Sequence, residues 1–222
     1  MEGKRQNGGK DQGGVWLVVL RGKRVSLLMD KLKVNPVIAG IRAPEAAEVA
    51  VNKGMQVFFI LGGTLLDLDA MVRMIKREES NLAFVHIDLI PGIGKDSAGV
   101  RYLANTLPID GVVTTRTHLI RAAKDAGLLA ILRLFALDSE AVKTGFSMLH
   151  SAAPDAVEIL PALVLPHLGL GLPVAEMPPI IAGGLVETVT DLEAILNSPV
   201  VAVSTSKADL WDWTRQNQNT KT

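Results

Sequence analysis

Short apolar runs rich in β-branched residues recur along this chain at regular spacing. Eight runs of strand length lie at residues 36–42, 56–63, 82–89, 110–115, 128–135, 156–161, 179–184 and 199–206. Near-continuous apolar runs are typical of parallel strands that are buried on both faces. The pattern therefore predicts eight buried parallel strands.

Stretches of helical length and amphipathic pattern separate most of these runs. They lie at 44–53, 67–79, 96–105, 117–126, 138–150 and 187–196. Asp138 and Thr188 stand where N-caps are expected, and Gly54 and Gly127 stand where a left-handed residue ends a helix. The exception is 162–178, which is rich in Pro and Gly and has room for one short helix.

Eight alternations of strand and helix predict a small closed (β/α)8 TIM barrel of the α/β class. The rival fold is an open, doubly wound sheet. A GxGxxG sequence after the first strand would favour that rival, and this chain has none.

Polar segments flank the predicted barrel. Residues 1–24 are basic and are predicted to be a disordered extension, whereas 25–213 form the barrel domain and 214–222 a polar tail. Within that domain, 25–33 are predicted to form a short amphipathic helix that leads into the first strand. The extension is compatible with a loose leader, with a start codon placed too early, or with a basic arm for nucleic acid.

Composition excludes several kinds of chemistry. The chain has no cysteine, which rules out disulfides, thiolate metal sites and cysteine nucleophiles. Its formal net charge of +0 argues against a protein that coats nucleic acid, although a local basic patch stays open. No apolar run approaches the roughly 20 residues that span a bilayer, and no signal-peptide pattern is present. We therefore expect a cytoplasmic protein with no membrane partner.

Polar residues and glycines stand at the ends of the predicted strands, where ligand-binding residues of barrels collect. Those of strands 1 to 6 are Arg42, Gly62, Gly63, His86, Asp88, Thr115, Arg116, Arg133 and Glu158. A charge in an apolar run is costly unless it is paired or bound to a ligand.

Structural interpretations of the same residues stay open. Arg133 and Glu158 lie on neighbouring strands and could neutralise each other, and Arg116 could pair with Asp88. His86 could be a core histidine, and the two adjacent glycines of strand 2 could form a tight turn.

The ends of strands 7 and 8 form the strongest candidate site. Strand 7 ends in Gly183-Gly184 and strand 8 ends in Ser204-Thr205-Ser206. Glycines let backbone N–H groups approach an anion, and helix N-termini add partial positive charge. Because the loops after strands 7 and 8 commonly hold phosphate in this fold, we predict a phosphate site there.

Evidence for catalysis is thinner. No Lys ends a predicted strand, so Schiff-base chemistry lacks its nucleophile. The four histidines lack metal-ligand spacing, so no metal site is predicted. Asp88 and Glu158 could still act as acid and base on a small phosphate ester, so an enzyme and a phosphate receptor are both compatible with the residues.

Six segments carry a resemblance to one family. They are NPVIAGIRAPE (35–45), VFFILGG (57–63), FVHIDLIPGIGKDSAGVRYLA (84–104), DGVVTTRTHLIRAAKDAGLLAILRLFALDS (110–139), PDAVEILPAL (154–163) and PIIAGGLVETVTDLEAILNSPVVAVSTSKADLW (179–211). Together they resemble the glycerol-3-phosphate-responsive antiterminators of bacterial glycerol uptake operons. Family members usually carry Lys where Arg116 stands here, and Arg keeps the charge but not the geometry of Lys.

The resemblance implies a non-enzymatic transcription antitermination regulator. Its effector would be glycerol 3-phosphate, its partner the leader mRNA of glycerol-catabolic operons, and it would need no cofactor. An isomerase, lyase or phosphodiesterase acting on a small phosphate ester is the alternative. The oligomeric state stays open, and a homo-oligomer is compatible with the sequence.

For a regulator of this kind we expect the following roles for the candidate residues. The phosphate would be held by the backbone N–H groups of Gly183, Gly184, Thr205 and Ser206 and by the hydroxyls of Ser204 and Ser206. Asp88 and Glu158 would accept hydrogen bonds from the glycerol hydroxyls, and Arg42 or Arg133 would balance the phosphate charge. The loop at 91–96 is a candidate mobile element. Basic positions near it are Lys95, Arg101, Arg121 and Lys124, which could face RNA or simply solvent.

Overall fold

Eight short parallel strands pair in chain order, and the last pairs back with the first, so the sheet closes into a barrel. The structure is a computed structural model that describes residues 12–168 and 176–213. The strands are β1 Val37–Ile41, β2 Val57–Ile60, β3 Leu82–His86, β4 Gly111–Thr114, β5 Leu129–Phe135, β6 Ala156–Leu160, β7 Ile180–Gly183 and β8 Ala202–Thr205. The predicted closed (β/α)8 TIM barrel is confirmed.

Most of the predicted strands are too long at one or both ends. Several of the excess residues, such as Gly62, Gly63 and Asp88, belong to loops at the mouth of the barrel. Pairing stops where the chain leaves the sheet, whereas the apolar and glycine pattern continues into the loop.

The first helix precedes β1, and the others follow strands on the outside of the barrel. The helices are α1 Gln12–Val34, α2 Pro44–Asn52, α3 Leu65–Ile75, α4 Ser97–Thr106, α5 Thr117–Asp125, α6 Ser139–Ala152, α7 Leu165–Leu168 and α8 Val189–Leu196. The expected caps are present, since Asp138 accepts a hydrogen bond from Ala141 N at 2.7 Å and Gly54 and Gly127 have φ of 74° and 76°. The irregular segment after β6 holds a 3-10 turn and the single turn of α7.

The first helix is longer than predicted. It begins at Gln12, so the prediction of disorder is wrong for residues 12–24, while residues 1–11 and 214–222 lie outside the described residues. Arg21 Nε lies 3.4 Å from Asp155 Oδ1, and Arg24 donates a hydrogen bond to the carbonyl of Gly127 at 2.8 Å. These partners are more than 100 residues away in sequence, which is why local composition did not reveal them.

An apolar cluster fills the inside of the barrel from its N-terminal end. Leu28 and Leu32 of α1 pack into this cluster beneath Phe59 and Phe84, whose rings meet edge to face at 5.6 Å. The helix therefore closes the N-terminal end of the barrel. The interior positions that follow toward the C-terminal end are polar or small, and these build the candidate site.

Candidate functional site

A cleft of about 470 Å³ opens at the C-terminal end of the barrel. Its walls come from the ends of six strands and the loops after them, and they bring together seven of the predicted site residues. These are Arg42, Arg133, Glu158, Gly184, Ser204, Thr205 and Ser206. The cleft therefore lies where parallel strands of this fold converge.

Glu158 is the centre of a buried hydrogen-bond network below the cleft. The register of β5 and β6 places Arg133 beside Glu158, and Arg133 Nε lies 2.6 Å from Glu158 Oε2. The other carboxylate oxygen accepts a hydrogen bond from Ser204 Oγ, also at 2.6 Å. The expected pairing of Arg133 with Glu158 is confirmed, and both carboxylate oxygens are engaged.

The two glycines that end β7 have different roles. A Cβ on Gly183 would lie 2.6 Å from Glu158 Oε1 and 2.8 Å from Ser204 Oγ, which is too close for either atom. Gly183 thus makes room for the hydrogen bond between those side chains. Gly184 has a φ of 79°, a conformation that glycine adopts without strain, and it lines the cleft itself.

Arg42 is the cation of the cleft that lacks a carboxylate partner. Arg133 pairs with Glu158 and Lys207 pairs with Glu187, whereas Arg42 has no salt-bridge partner within the part of the chain that the structure describes. Its guanidinium donates a hydrogen bond to the carbonyl of Leu61 at 3.2 Å. The cleft therefore presents one uncompensated positive charge, which suits an anionic ligand.

A second polar cluster lies at the ends of β3 and β4. β3 ends at His86, and Asp88 sits in the 3-10 turn Ile87–Leu89 that follows. The Asp88 carboxylate accepts hydrogen bonds from Thr114 Oγ1 at 2.9 Å, Thr115 N at 2.7 Å and Arg116 Nε at 3.1 Å. The expected pairing of Arg116 with Asp88 is confirmed, but this cluster does not line the cleft.

These donors also fix the charge of Asp88. Burial alone would raise the pKa of Asp88, but the hydrogen bonds from Thr115 and Thr114 outweigh it and hold the pKa below its ordinary value. Asp88 and Glu158 are thus both occupied by donors of the protein, which argues against their use as a catalytic acid and base.

His86 lies inside the barrel between the two clusters. It is 2% exposed, and neither ring nitrogen has a hydrogen-bond partner among the described residues. Burial, and then the nearby charge of Arg133, lower the pKa of His86 to about 3. The imidazole is therefore neutral at any physiological pH and belongs to the core.

The loop between β3 and α4 is fastened at several points. Lys95 Nζ donates hydrogen bonds to the carbonyls of Ile87 and Ile90, the latter at 2.6 Å, and Leu65 N donates to Pro91 O at 3.2 Å. Asp96 caps α4, since its Oδ1 accepts hydrogen bonds from the backbone N–H groups of Ala98 and Gly99, each at 2.9 Å. These contacts tie the loop to α3 and to its own backbone, and the mobility that the sequence suggested for it stays a prediction. Lys95 is half-buried, and its ammonium group is engaged by backbone carbonyls.

Gly62 and Gly63 belong to the irregular segment between β2 and α3. Gly63 has a φ of 85°, and a Cβ on Gly62 would lie 3.2 Å from Arg42 Cβ. Neither glycine lines the cleft, so their contribution is to let the chain turn and pack against Arg42.

Sequence reasoning missed several cleft residues on the loops after β7 and β8. Lys207 follows Ser206 directly and lines the cleft, and its hydrogen bond to Glu187 raises the pKa of the ammonium group. It is a cation rather than an amine nucleophile. Leu185 also lines the cleft, with an unusual φ of 60°. The position of Lys207 directly after the Ser-Thr-Ser run could have identified it as a cleft residue. Nothing in the sequence indicates the unusual φ of Leu185.

The start of α8 is occupied by its own cap. Thr188 Oγ1 accepts from Asp191 N at 3.1 Å, and the Asp191 carboxylate accepts from Thr188 N at 3.0 Å. The amides of Thr188 and Asp191 are thus used within the helix cap. The loop at 184–186 lines the cleft and offers further backbone amides after β7.

Residues 12–168 and 176–213 were searched for metal-ligand clusters and for membrane-spanning helices. No group of three or more His, Asp or Glu residues is placed to hold a metal ion. No helix in these ranges has the length and apolar character needed to cross a membrane.

Known proteins share this sequence and fold over nearly the whole barrel. The family model described as glycerol-3-phosphate responsive antiterminator matches residues 37–211. The uncharacterized protein YgcP of Escherichia coli (strain K12) is 30% identical over 184 residues, which are 83% of this chain and 95% of that protein.

Two crystal structures are similar as well. A glycerol uptake operon antiterminator-related protein from Thermotoga maritima is 31% identical, with a TM-score of 0.68 over 79% of this chain and 96% of its own. A glycerol uptake operon antiterminator regulatory protein from Listeria monocytogenes is 27% identical, with a TM-score of 0.68 over 80% of this chain and 95% of its own. The names of both proteins describe regulators of an operon rather than enzymes.

Proposed function

This chain belongs to the family of glycerol-3-phosphate responsive antiterminators, and from that premise we propose that it binds glycerol 3-phosphate and acts on leader mRNA. The resemblance noted in the sequence is confirmed, and the family is one of operon regulators. We infer that the ligand occupies the cleft at the C-terminal end of the barrel. Ligand binding would favour a state of the protein that engages the leader of a glycerol operon and prevents early termination.

The observation that carries this proposal is the unpaired charge of Arg42 in a cleft built from the ends of β7 and β8. A phosphate group placed beside Arg42 would also meet the hydroxyl of Ser206 and the backbone of Gly184. Hydrogen bonds between a guanidinium and a phosphate are among the strong ones in proteins. The glycerol hydroxyls would then lie near Arg133 and Ser204, the more deeply buried residues of the cleft.

A receptor explains the site better than an enzyme does. The carboxylates of Asp88 and Glu158 already accept hydrogen bonds from the protein, and His86 is buried and neutral. A ligand held here meets fixed donors and acceptors, but no group that is poised to transfer a proton. We accordingly propose no cofactor and no turnover of the ligand.

Ligand binding can be tested by titration calorimetry and by following the melting temperature. We expect glycerol 3-phosphate, but not glycerol, to bind and to raise the melting temperature. Arg42→Gln should weaken binding about 10- to 100-fold, because a hydrogen bond to a charged group contributes about 1.5–3 kcal/mol. Arg73→Gln, which removes an exposed ion pair on α3, is the matched control.

Two results would overturn the ligand part of the proposal. One is unchanged affinity in the Arg42→Gln variant. The other is consumption of glycerol 3-phosphate, followed by NMR over hours with excess protein, which would reveal an enzyme.

The RNA part needs its own experiment. A gel shift with the leader RNA of a glycerol operon, at one fixed salt concentration, should show binding that strengthens when glycerol 3-phosphate is added. RNA binding of equal strength with and without glycerol 3-phosphate, or no binding to that leader, would contradict the regulatory mechanism. Either result would leave the proposed ligand recognition intact.

A further inference from the structure

Ser204 has a hydroxyl whose direction the structure fixes. Its Oγ lies 2.6 Å from Glu158 Oε1, and the other oxygen of that carboxylate is paired with Arg133. An ionised carboxylate can only accept hydrogen bonds. Ser204 therefore donates its single proton to Glu158 and has only lone pairs left to offer to the cleft.

The surroundings hold the hydroxyl in this direction. Ser204 is 5% exposed and Glu158 is 1% exposed, so bulk water has little access to the hydrogen bond between them. Turning the Ser204 proton away would leave a buried carboxylate oxygen without a donor, which is unfavourable. Gly183 is the residue paired with Ser204 across β7 and β8, and its missing side chain keeps the two groups in contact.

This direction decides which part of a ligand Ser204 can face. The oxygens of an ionised phosphate group can only accept hydrogen bonds. Beside Ser204 their negative charge would face the lone pairs of the hydroxyl, which is unfavourable. A ligand hydroxyl, in contrast, can donate to Ser204 and accept from the guanidinium of Arg133, which lines the same cleft. The expectation that the Ser204 hydroxyl holds the phosphate is therefore not supported by this geometry, and the outer Ser206 is better placed for that role.

Resting on the proposed function, we propose that Ser204 is a specificity-determining residue that accepts a hydrogen bond from the C2 alcohol of the ligand, the one next to the phosphate-bearing carbon. A ketone at the same carbon has no proton to donate, so its oxygen would oppose the lone pairs of Ser204. The site would thus select a polyol phosphate over the corresponding ketose phosphate of equal charge and carbon number.

The test compares glycerol 3-phosphate with dihydroxyacetone phosphate by titration calorimetry of the full chain. The wild-type protein should bind the alcohol at least about 10-fold more tightly, as expected when a buried acceptor is left unpaired. In Ser204→Ala the ratio of the two dissociation constants should fall to within about 3-fold, mainly because the alcohol binds less tightly.

Glu158→Gln supplies a second and stricter variant of nearly the same shape. The amide oxygen has to face Arg133, which needs an acceptor, so the amide NH₂ faces Ser204. Ser204 then accepts from Gln and turns its own proton toward the cleft. The preference for the alcohol should shrink or reverse in this variant, a change that simple loss of packing would not produce.

Ser206→Ala is the control for the outer part of the cleft. It should weaken both ligands by a similar factor and keep their ratio. If the wild-type protein binds neither ligand, the proposed function itself fails. If the wild type binds both ligands equally well or prefers the ketone, or if Ser204→Ala and Glu158→Gln keep the wild-type ratio, the role of Ser204 is refuted while the proposed function stands.

Discussion

His86 is a titratable side chain that the folded protein keeps neutral. Its ring is enclosed by the barrel, has no hydrogen-bond partner among the described residues and lies near the charge of Arg133. Protonation inside the barrel would place a second positive charge beside that guanidinium without a shell of water. The folded state therefore resists protonation, whereas the unfolded chain does not.

This difference predicts acid sensitivity. The pKa of His86 is about 3 in the folded state, below the ordinary value of 6.5, so the unfolded state binds the extra proton as the pH falls below 6.5. From this group alone, the free energy of unfolding should fall by up to about 1.4 kcal/mol per pH unit between roughly pH 6 and 4. Urea unfolding at a series of pH values measures the slope.

Two substitutions separate His86 from other acid-sensitive groups. His86→Leu should flatten the slope in this range, because the titrating base is gone. His118→Leu removes an exposed histidine on α5 and should keep the wild-type slope. Equal slopes in the wild type and His86→Leu would show that the imidazole is not the cause.

Gly183 is the residue at which one added methyl group should disturb the site most. Its Cβ would push on Glu158 and Ser204, so Gly183→Ala should break their hydrogen bond and weaken ligand binding about 10-fold or more. Gly145→Ala on α6 adds the same methyl against a flexible side chain, at 3.1 Å from Leu134 Cδ1. Calorimetry should show full binding in Gly145→Ala, and equal loss in both variants would contradict this account.

At the scale of elements, α1 closes the N-terminal end of the barrel. Leu28 is 3% exposed and packs into the interior cluster, whereas its neighbour Leu27 is 41% exposed. Leu28→Ala should lower the free energy of unfolding by about 2–5 kcal/mol because it opens a cavity in the core. Leu27→Ala should change it by no more than about 0.5 kcal/mol.

Urea unfolding of both variants measures the difference. If Leu28→Ala were as mild as Leu27→Ala, α1 would be an appendage rather than part of the fold.

The strands were predictable from sequence because a strand buried on both faces needs an unbroken apolar run. Helix ends were predictable where a side chain caps the backbone locally, as Asp138 and Thr188 do. The helical state of residues 21–24 was not predicted, because Arg21 and Arg24 contact residues far along the chain. Local composition carries no record of such partners.

The site was predictable as a set of residues but not as an arrangement. Charged residues at strand ends revealed the polar mouth, and the pairs of Arg133 with Glu158 and Arg116 with Asp88 were among the alternatives. The division into a cleft and a separate cluster around Asp88 depends on how one 3-10 turn aims a carboxylate. The spatial role of Gly183 likewise depends on side chains of two other strands.

At the scale of the whole molecule, the formal net charge of +0 means that the RNA binding proposed above would need a local basic surface. A groove of about 550 Å³ runs between α4 and α5 and includes Arg101, His118 and Arg121, together with Asp125, which lies 3.9 Å from Arg121. It adjoins Arg116, which starts α5 and is tied to Asp88 at the mouth of the barrel. This groove is the surface at which we expect the phosphates of the leader RNA to bind.

Reversing two charges of this groove tests the expectation. In the double variant Arg101→Glu, Arg121→Glu, binding of the leader RNA should weaken, and its dependence on salt should become less steep. Each lost phosphate contact to single-stranded RNA lowers the slope of log K against log salt by about 0.7. Glycerol 3-phosphate should bind as in the wild type, because neither arginine lines the cleft.

Lys143→Glu on α6, an exposed charge outside the groove, is the matched control and should leave the salt slope nearly unchanged. Gel shifts at several salt concentrations, with ligand present throughout, give the slopes. A double variant that binds the leader with wild-type affinity and slope would exclude the groove as the RNA surface. Loss of RNA binding together with loss of ligand binding would instead indicate damage to the barrel, because groove and cleft share no lining residue.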